Sequence, residues 1–69
     1  MIEVFKTNIQ EVQIANCIVE QLLNYFPGSK INFDLEDCDK ILRIESHSIE
    51  PFTIIKVVTD NNYKCEILE

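Results

Sequence analysis

A chain of 69 residues that is 46% hydrophobic, with one glycine and two prolines, holds one small domain of regular packed structure, expected to span residues 1–69. Twelve acidic against six basic residues give a formal charge of -6, and no run of Lys or Arg offsets it. Nucleic acid and anionic membrane surfaces are therefore set aside as partners, since both draw their affinity from clustered basic groups.

The amino terminus, Met1 to Lys6, lacks a basic segment followed by an apolar stretch, and no apolar run reaches membrane-spanning length. A cytoplasmic location is the expectation. Cys17, Cys38 and Cys65 then read as reduced thiols, because three cysteines at wide spacing match neither a disulfide framework nor paired zinc-ligand motifs.

In chain order, Ile2 and Val4 alternate with Glu3 and Phe5, which predicts a first strand ending near Lys6 or Thr7 with Val4 inward and Phe5 on the outer face. Val12, Ala15, Ile18, Val19, Leu22, Leu23 and Phe26 recur at spacings of three and four and predict a helix of about four turns. Thr7 or Asn8 is placed to cap its start, and Pro27-Gly28 stops it. Gln10, Gln13, Cys17, Glu20, Gln21 and Asn24 fall on its polar face.

Ile31, Phe33 and Leu35 alternate with Asn32, Asp34 and Glu36 as a second strand, and Leu42 and Ile44 alternate with Arg43 and Glu45 as a third. The short polar stretch Asp37-Cys38-Asp39-Lys40 between them predicts a hairpin. Ser48 can cap a second helix with Glu50 and Pro51 in its first turn, and Phe52, Ile55 and Val58 supply its buried stripe, which Ile54 widens. Asn61-Asn62 can close that helix in a left-handed conformation, after which Tyr63, Cys65 and Ile67 point inward along a last strand.

Strand, helix, strand, strand, helix, strand is the order of an α+β, ferredoxin-like βαββαβ fold. Right-handed crossovers would place both helices on one face of a four-stranded antiparallel sheet with the first and third strands central. The core expected is Val4, Ala15, Ile18, Leu22, Phe33, Leu35, Ile44, Ile55, Val58 and Ile67.

Over nearly all of its length the chain resembles a heavy-metal-associated domain, the small ferredoxin-like module of copper chaperones and metal-transporting ATPases. The resemblance runs through Phe26-Pro27-Gly28, Ile31-Asn32-Phe33-Asp34-Leu35 and Asn62-Tyr63-Lys64-Cys65-Glu66. The family's Cys-x-x-Cys binds a soft metal ion such as Cu(I) at the end of the first loop. Here the corresponding positions are Val12 and Ala15, so the resemblance carries over no metal ligand, and metal binding is not expected of the monomer. Asn62 stands where the family usually has Gly.

The remaining polar features point to no second chemistry. Cys17 lies about 200° around the helix from Ala15 and faces solvent, where it is a candidate reactive thiol. Cys38 reads as a turn residue between two acids, and Cys65 as a small core hydrophobe. Asp34, Glu36, Asp37 and Asp39 lack the spacing of a calcium loop. His47 has no nucleophile or orienting group around it in sequence, and no Gly-rich phosphate loop is present, so neither catalysis nor a cofactor is expected.

The function these observations leave is a noncatalytic binding or interaction module that has lost the paired-thiol site, its partner another protein or a second copy of the chain. It would pair through the edges of the second or fourth strand, or dock through the helical face and first loop. Phe5 and Leu68 are expected to form a small apolar contact patch on the open sheet face. The alternatives are metal handling through a cysteine site shared between subunits, and a small regulatory ligand-binding domain.

Overall fold

Four short segments alternate their residues across a pleated sheet, and the helices between them cover the side that carries Phe5, Ile31, Phe33, Leu42 and Ile44. The structure, a computed structural model, describes residues 1–68; Glu69, the last residue of the expected domain, lies outside them. The elements are β1 (Ile2–Thr7), α1 (Val12–Tyr25), β2 (Lys30–Asp34), β3 (Ile41–Glu45), α2 (Pro51–Asp60) and β4 (Cys65–Ile67). The strands form one antiparallel sheet in the order β2-β3-β1-β4, with both helices on one face. This is the ferredoxin-like βαββαβ arrangement, with β1 and β3 central.

β1 departs from its expected register by one residue, which exchanges its two faces. Phe5 is fully buried, whereas Val4 is half-buried on the outer side. Cross-strand neighbours decide the matter, because Phe5 lies opposite Leu42 on one side and Ile67 on the other. Burying the ring there removes more apolar surface than burying Val4 would. Thr7 shares the inner side because its hydroxyl is satisfied, donating to the Lys40 carbonyl at 2.6 Å and accepting from the Ile9 amide at 3.3 Å.

Those bonds also explain why α1 starts later than Thr7 or Asn8 would dictate. The Asn8 side-chain oxygen accepts from the Lys64 amide at 2.7 Å, so both expected caps are committed elsewhere. Glu11 occupies the N-cap with no side-chain capping bond. Ala15, Ile18 and Leu22 are buried as expected, but Val12 is exposed and Val19 only half-covered.

α2 is turned relative to the expected stripe. Ile54, Val57 and Val58 are buried, while Phe52 is 83% exposed and Ile55 only packs at the margin. A stripe at i, i+3 and i+4 lies closer to one helical face than Phe52 and Ile54 together could, since those two are about 200° apart. Ser48 makes no cap; Glu50 is the N-cap, with Pro51 in the first turn. The helix ends as expected, with Asn62 at φ 70 and its amide bonded to the Thr59 carbonyl at 2.9 Å.

The buried core joins Phe5, Leu42 and Ile44 of the sheet to the inward stripes of both helices. Two loop residues complete it, Ile9 before α1 and Ile49 before α2. Neither belongs to a periodic segment. Of the core expected from alternation, Phe33 and Leu35 of the β2 edge pack only against its margin, and Ile67 is 41% exposed on the opposite edge.

Candidate interaction surface

The β1–α1 loop is closed by a buried isoleucine and by hydrogen bonds. Ile9 fills the space beneath it, and Thr7 and Asn8 tie it to the residues before β3 and β4. Val12 and Ala15, which the sequence expectation sets at this loop's end, are aliphatic, one exposed and one buried. The Thr7 hydroxyl and the Asn8 side-chain oxygen are thus engaged in holding the chain together.

The three thiols lie in separate parts of the fold. Cys17 is exposed on α1, with the Gln21 amide nitrogen 3.9 Å from its sulfur. Cys38 is exposed in the β2–β3 turn, where Asp37, Cys38 and Asp39 place one potential ligand atom each within 4.8 Å of one another. The turn already uses those acids: the Asp37 carboxylate accepts from the Asp39 amide at 2.8 Å, and Asp39 lies 3.7 Å from the Lys6 ammonium. Such an Asx turn organises a hairpin end without any ion. Cys65 is half-buried against the core, and burial, followed by the charge of Glu66, pushes its thiol up to about 11.

His47 is exposed in the β3–α2 loop, at the end of the sheet where the amino-terminal nitrogen donates to the Ser46 carbonyl at 2.9 Å. It lines a shallow depression with Met1, Gly28 and Lys30, and it has no hydrogen-bonded side-chain partner among the described residues.

The patch expected from Phe5 and Leu68 is not formed. Phe5 is in the core, and Leu68, whose amide donates to the Val4 carbonyl at 2.9 Å, follows β4 on the other side of the sheet. The open face instead carries Ile2, Val4, Ile41 and Leu68 among three cations, Lys6, Lys30 and Arg43, and three acids, Asp34, Glu45 and Glu66. On that mixed face Val4 and Ile41 are half-buried.

The two edges of the sheet differ. β4 is three residues long. β2 runs five residues in unbroken register with β3, without proline, and carries Ile31 and Phe33 on the side facing the helices. Edge strands of this kind lack the usual protections of shortness, bulge or proline. Reciprocal bonds between Met1 and Ser46 fix the alternation of the ladder: Leu42 and Ile44 address β1, so Arg43 and its alternate neighbours address β2. Lys30, Asn32 and Asp34 answer them. Ile31 and Phe33 therefore direct their amides and carbonyls outward.

Beside this edge α1 leaves a groove, lined by Val12, Ala15 and Val19 on the helix, by Ile31 and Phe33 on the strand and by Leu35 in the turn after it, with Asn16, Asn32, Asp34 and Glu36 among them. The groove wall explains why Val12, Val19 and Leu23 are not fully covered although the periodicity of α1 includes them. They form the outer flank of the stripe, beyond the reach of β3 and β1. The three-to-four periodicity includes that flank in the apolar stripe; the separate i, i+4, i+7 series Val12, Asn16, Val19, interrupted by a polar residue, sets it apart.

No family model, curated protein or solved structure matches the chain. Among the described residues no helix is long and apolar enough to cross a membrane.

Proposed function

We propose that this domain is a noncatalytic protein-interaction module, acting in the cytoplasm, that docks its partner along β2. The observation that carries this reading is the outward-directed main chain of Ile31 and Phe33 lying beside a groove under α1 whose walls mix aliphatic and aromatic side chains with Asn16, Asn32, Asp34 and Glu36. An added strand would complete the ladder with main-chain hydrogen bonds, while every second side chain enters the groove. The same reading treats the domain as heavy-metal-associated-like in its layout, with the first loop closed by Ile9 and the binding role moved to the sheet edge.

Acids flank one end of the edge, with Asp34 and Glu36 exposed and Lys30 at the other end. The matching strand has apolar residues alternating with polar ones, a basic residue meeting Asp34 and an acidic one meeting Lys30. Panning a random-peptide library on the immobilised domain tests this. The expected binders are extended, with apolar residues at alternate positions, and in NMR titrations they shift the amides of Ile31 and Phe33 and the methyl groups of Val12 and Val19. Binders that map to the open sheet face or to β4 would overturn the reading, as would a monomeric domain for which the library yields none.

A further inference from the structure

The strand with the chemistry just described is present in the chain itself. We propose that the partner at β2 is a second copy of this chain, joined through antiparallel β2–β2 pairing about a two-fold axis at Asn32 to give a continuous eight-stranded sheet. The inference rests on the docking edge of the preceding section and adds its occupant and register.

The segment Lys30-Ile31-Asn32-Phe33-Asp34 is complementary to its own reverse. Turned end for end, it sets Lys30 against Asp34 of the second copy and Asp34 against Lys30. Ile31 then meets Phe33 at both symmetry-related positions, and Asn32 meets Asn32. An isologous interface demands this self-complementarity, in which each contact occurs twice.

The main chain agrees with the same register. Ile31 and Phe33 are the residues whose amides and carbonyls point away from β3, and pairing about Asn32 places them directly opposite each other as hydrogen-bonded pairs. Asn32 falls at the axis in the closer, non-hydrogen-bonded position, its side chain on the open face beside its counterpart. Lys30 and Asp34 are exposed on that same face, free to meet across the junction. Neither has an ion-pair partner in the monomer among the described residues.

Above the sheet, the junction brings the two α1 flanks side by side on the helical face. Val12, 64% exposed in the monomer, and the half-covered Val19 lie on that flank. Each groove under α1 opens toward the other copy. Pairing would therefore cover apolar side chains on one face of the sheet while forming ion pairs on the other.

Sedimentation equilibrium of the wild type, K30E, D34K and an equimolar mixture of the two variants tests the proposal. Wild type is expected to dimerise. Each single reversal puts like charges opposite each other at both ends and should weaken self-association by about tenfold or more. In the mixture, every K30E chain meets opposite charge on a D34K chain at both ends, so a mixed dimer of near wild-type strength should return. Circular dichroism should show both variants folded, since both changes are at exposed edge positions.

A wild type that stays monomeric up to about 1 mM would overturn the proposal, as would a dimer that both reversals leave unchanged or a mixture no tighter than its components. Library peptides that bind β2 of a monomeric wild type would reject the second copy while the docking edge stands. Loss of both would reject the edge as well.

Discussion

Gln21 of α1 and Asn61 at the end of α2 exchange two side-chain amide hydrogen bonds, at 3.0 and 3.3 Å, across 40 residues of sequence. Asn61 also donates to the Val57 carbonyl at 2.7 Å, one of the carbonyls a helix leaves free at its carboxyl end. The pair therefore joins the two helices while it closes one of them.

Removing Gln21 leaves Asn61 its bond to Val57, whereas removing Asn61 loses all three contacts. Gln21→Ala is expected to cost about 1 kcal/mol and Asn61→Ala about 1 to 3 kcal/mol. Urea unfolding of both single variants and the double variant should give a coupling of about 0.5 kcal/mol or more. Strict additivity would show that the amides do not act on each other.

The opposite faces of Phe5 and Val4 set the register of β1, and stability reads it directly. Phe5→Ala should cost about 3 to 5 kcal/mol, a large part of what a domain of this size possesses, because its ring is fully enclosed between strands and helices. Val4→Ala, on the half-covered open face, should cost much less. Equal losses in thermal or denaturant unfolding would restore the other register.

What the sequence discloses and what it conceals divide along a physical line. The order of six elements was legible because alternation and three-to-four spacing are local, and so was the left-handed Asn62, a residue type that adopts that backbone readily. The face of a short strand is set by its neighbours, and Phe5 could be placed only by Leu42 and Ile67 across the sheet. Ile9 and Ile49 enter the core from loops, where no period announces them. The β2 edge was legible as an edge, but its outward amides follow from a ladder counted from Met1 and Ser46, which only the three-dimensional pairing supplies.

The rotation of α2 gives the third prediction. Ile54 has no exposed surface, and Phe52 is the most exposed large hydrophobic residue described. Ile54→Ala is expected to lower stability by about 2 to 5 kcal/mol, and Phe52→Ala to change it by no more than about 0.5 kcal/mol. A costly Phe52→Ala in the monomeric domain would mean that the helix sits with its other face inward.

Cys65 makes the stability of the domain depend on pH at the alkaline end. Burial against the core, with the neighbouring charge of Glu66 adding to it, raises the thiol from 9.0 to about 11 in the folded chain. The folded state then holds its proton over a range in which the unfolded state has released it, so stability is unaffected below about pH 9 and falls as pH rises from there toward 11. Lysines and tyrosines also titrate in that range, which makes the difference between wild type and Cys65→Ala the informative quantity. Urea unfolding from pH 8 to 11 should show wild type losing stability relative to Cys65→Ala as pH rises, and iodoacetamide at pH 8 should modify the exposed Cys17 and Cys38 before Cys65. A difference that stays flat across the range, or a Cys65 alkylated as fast as Cys17, would show that the last strand leaves its thiol in water.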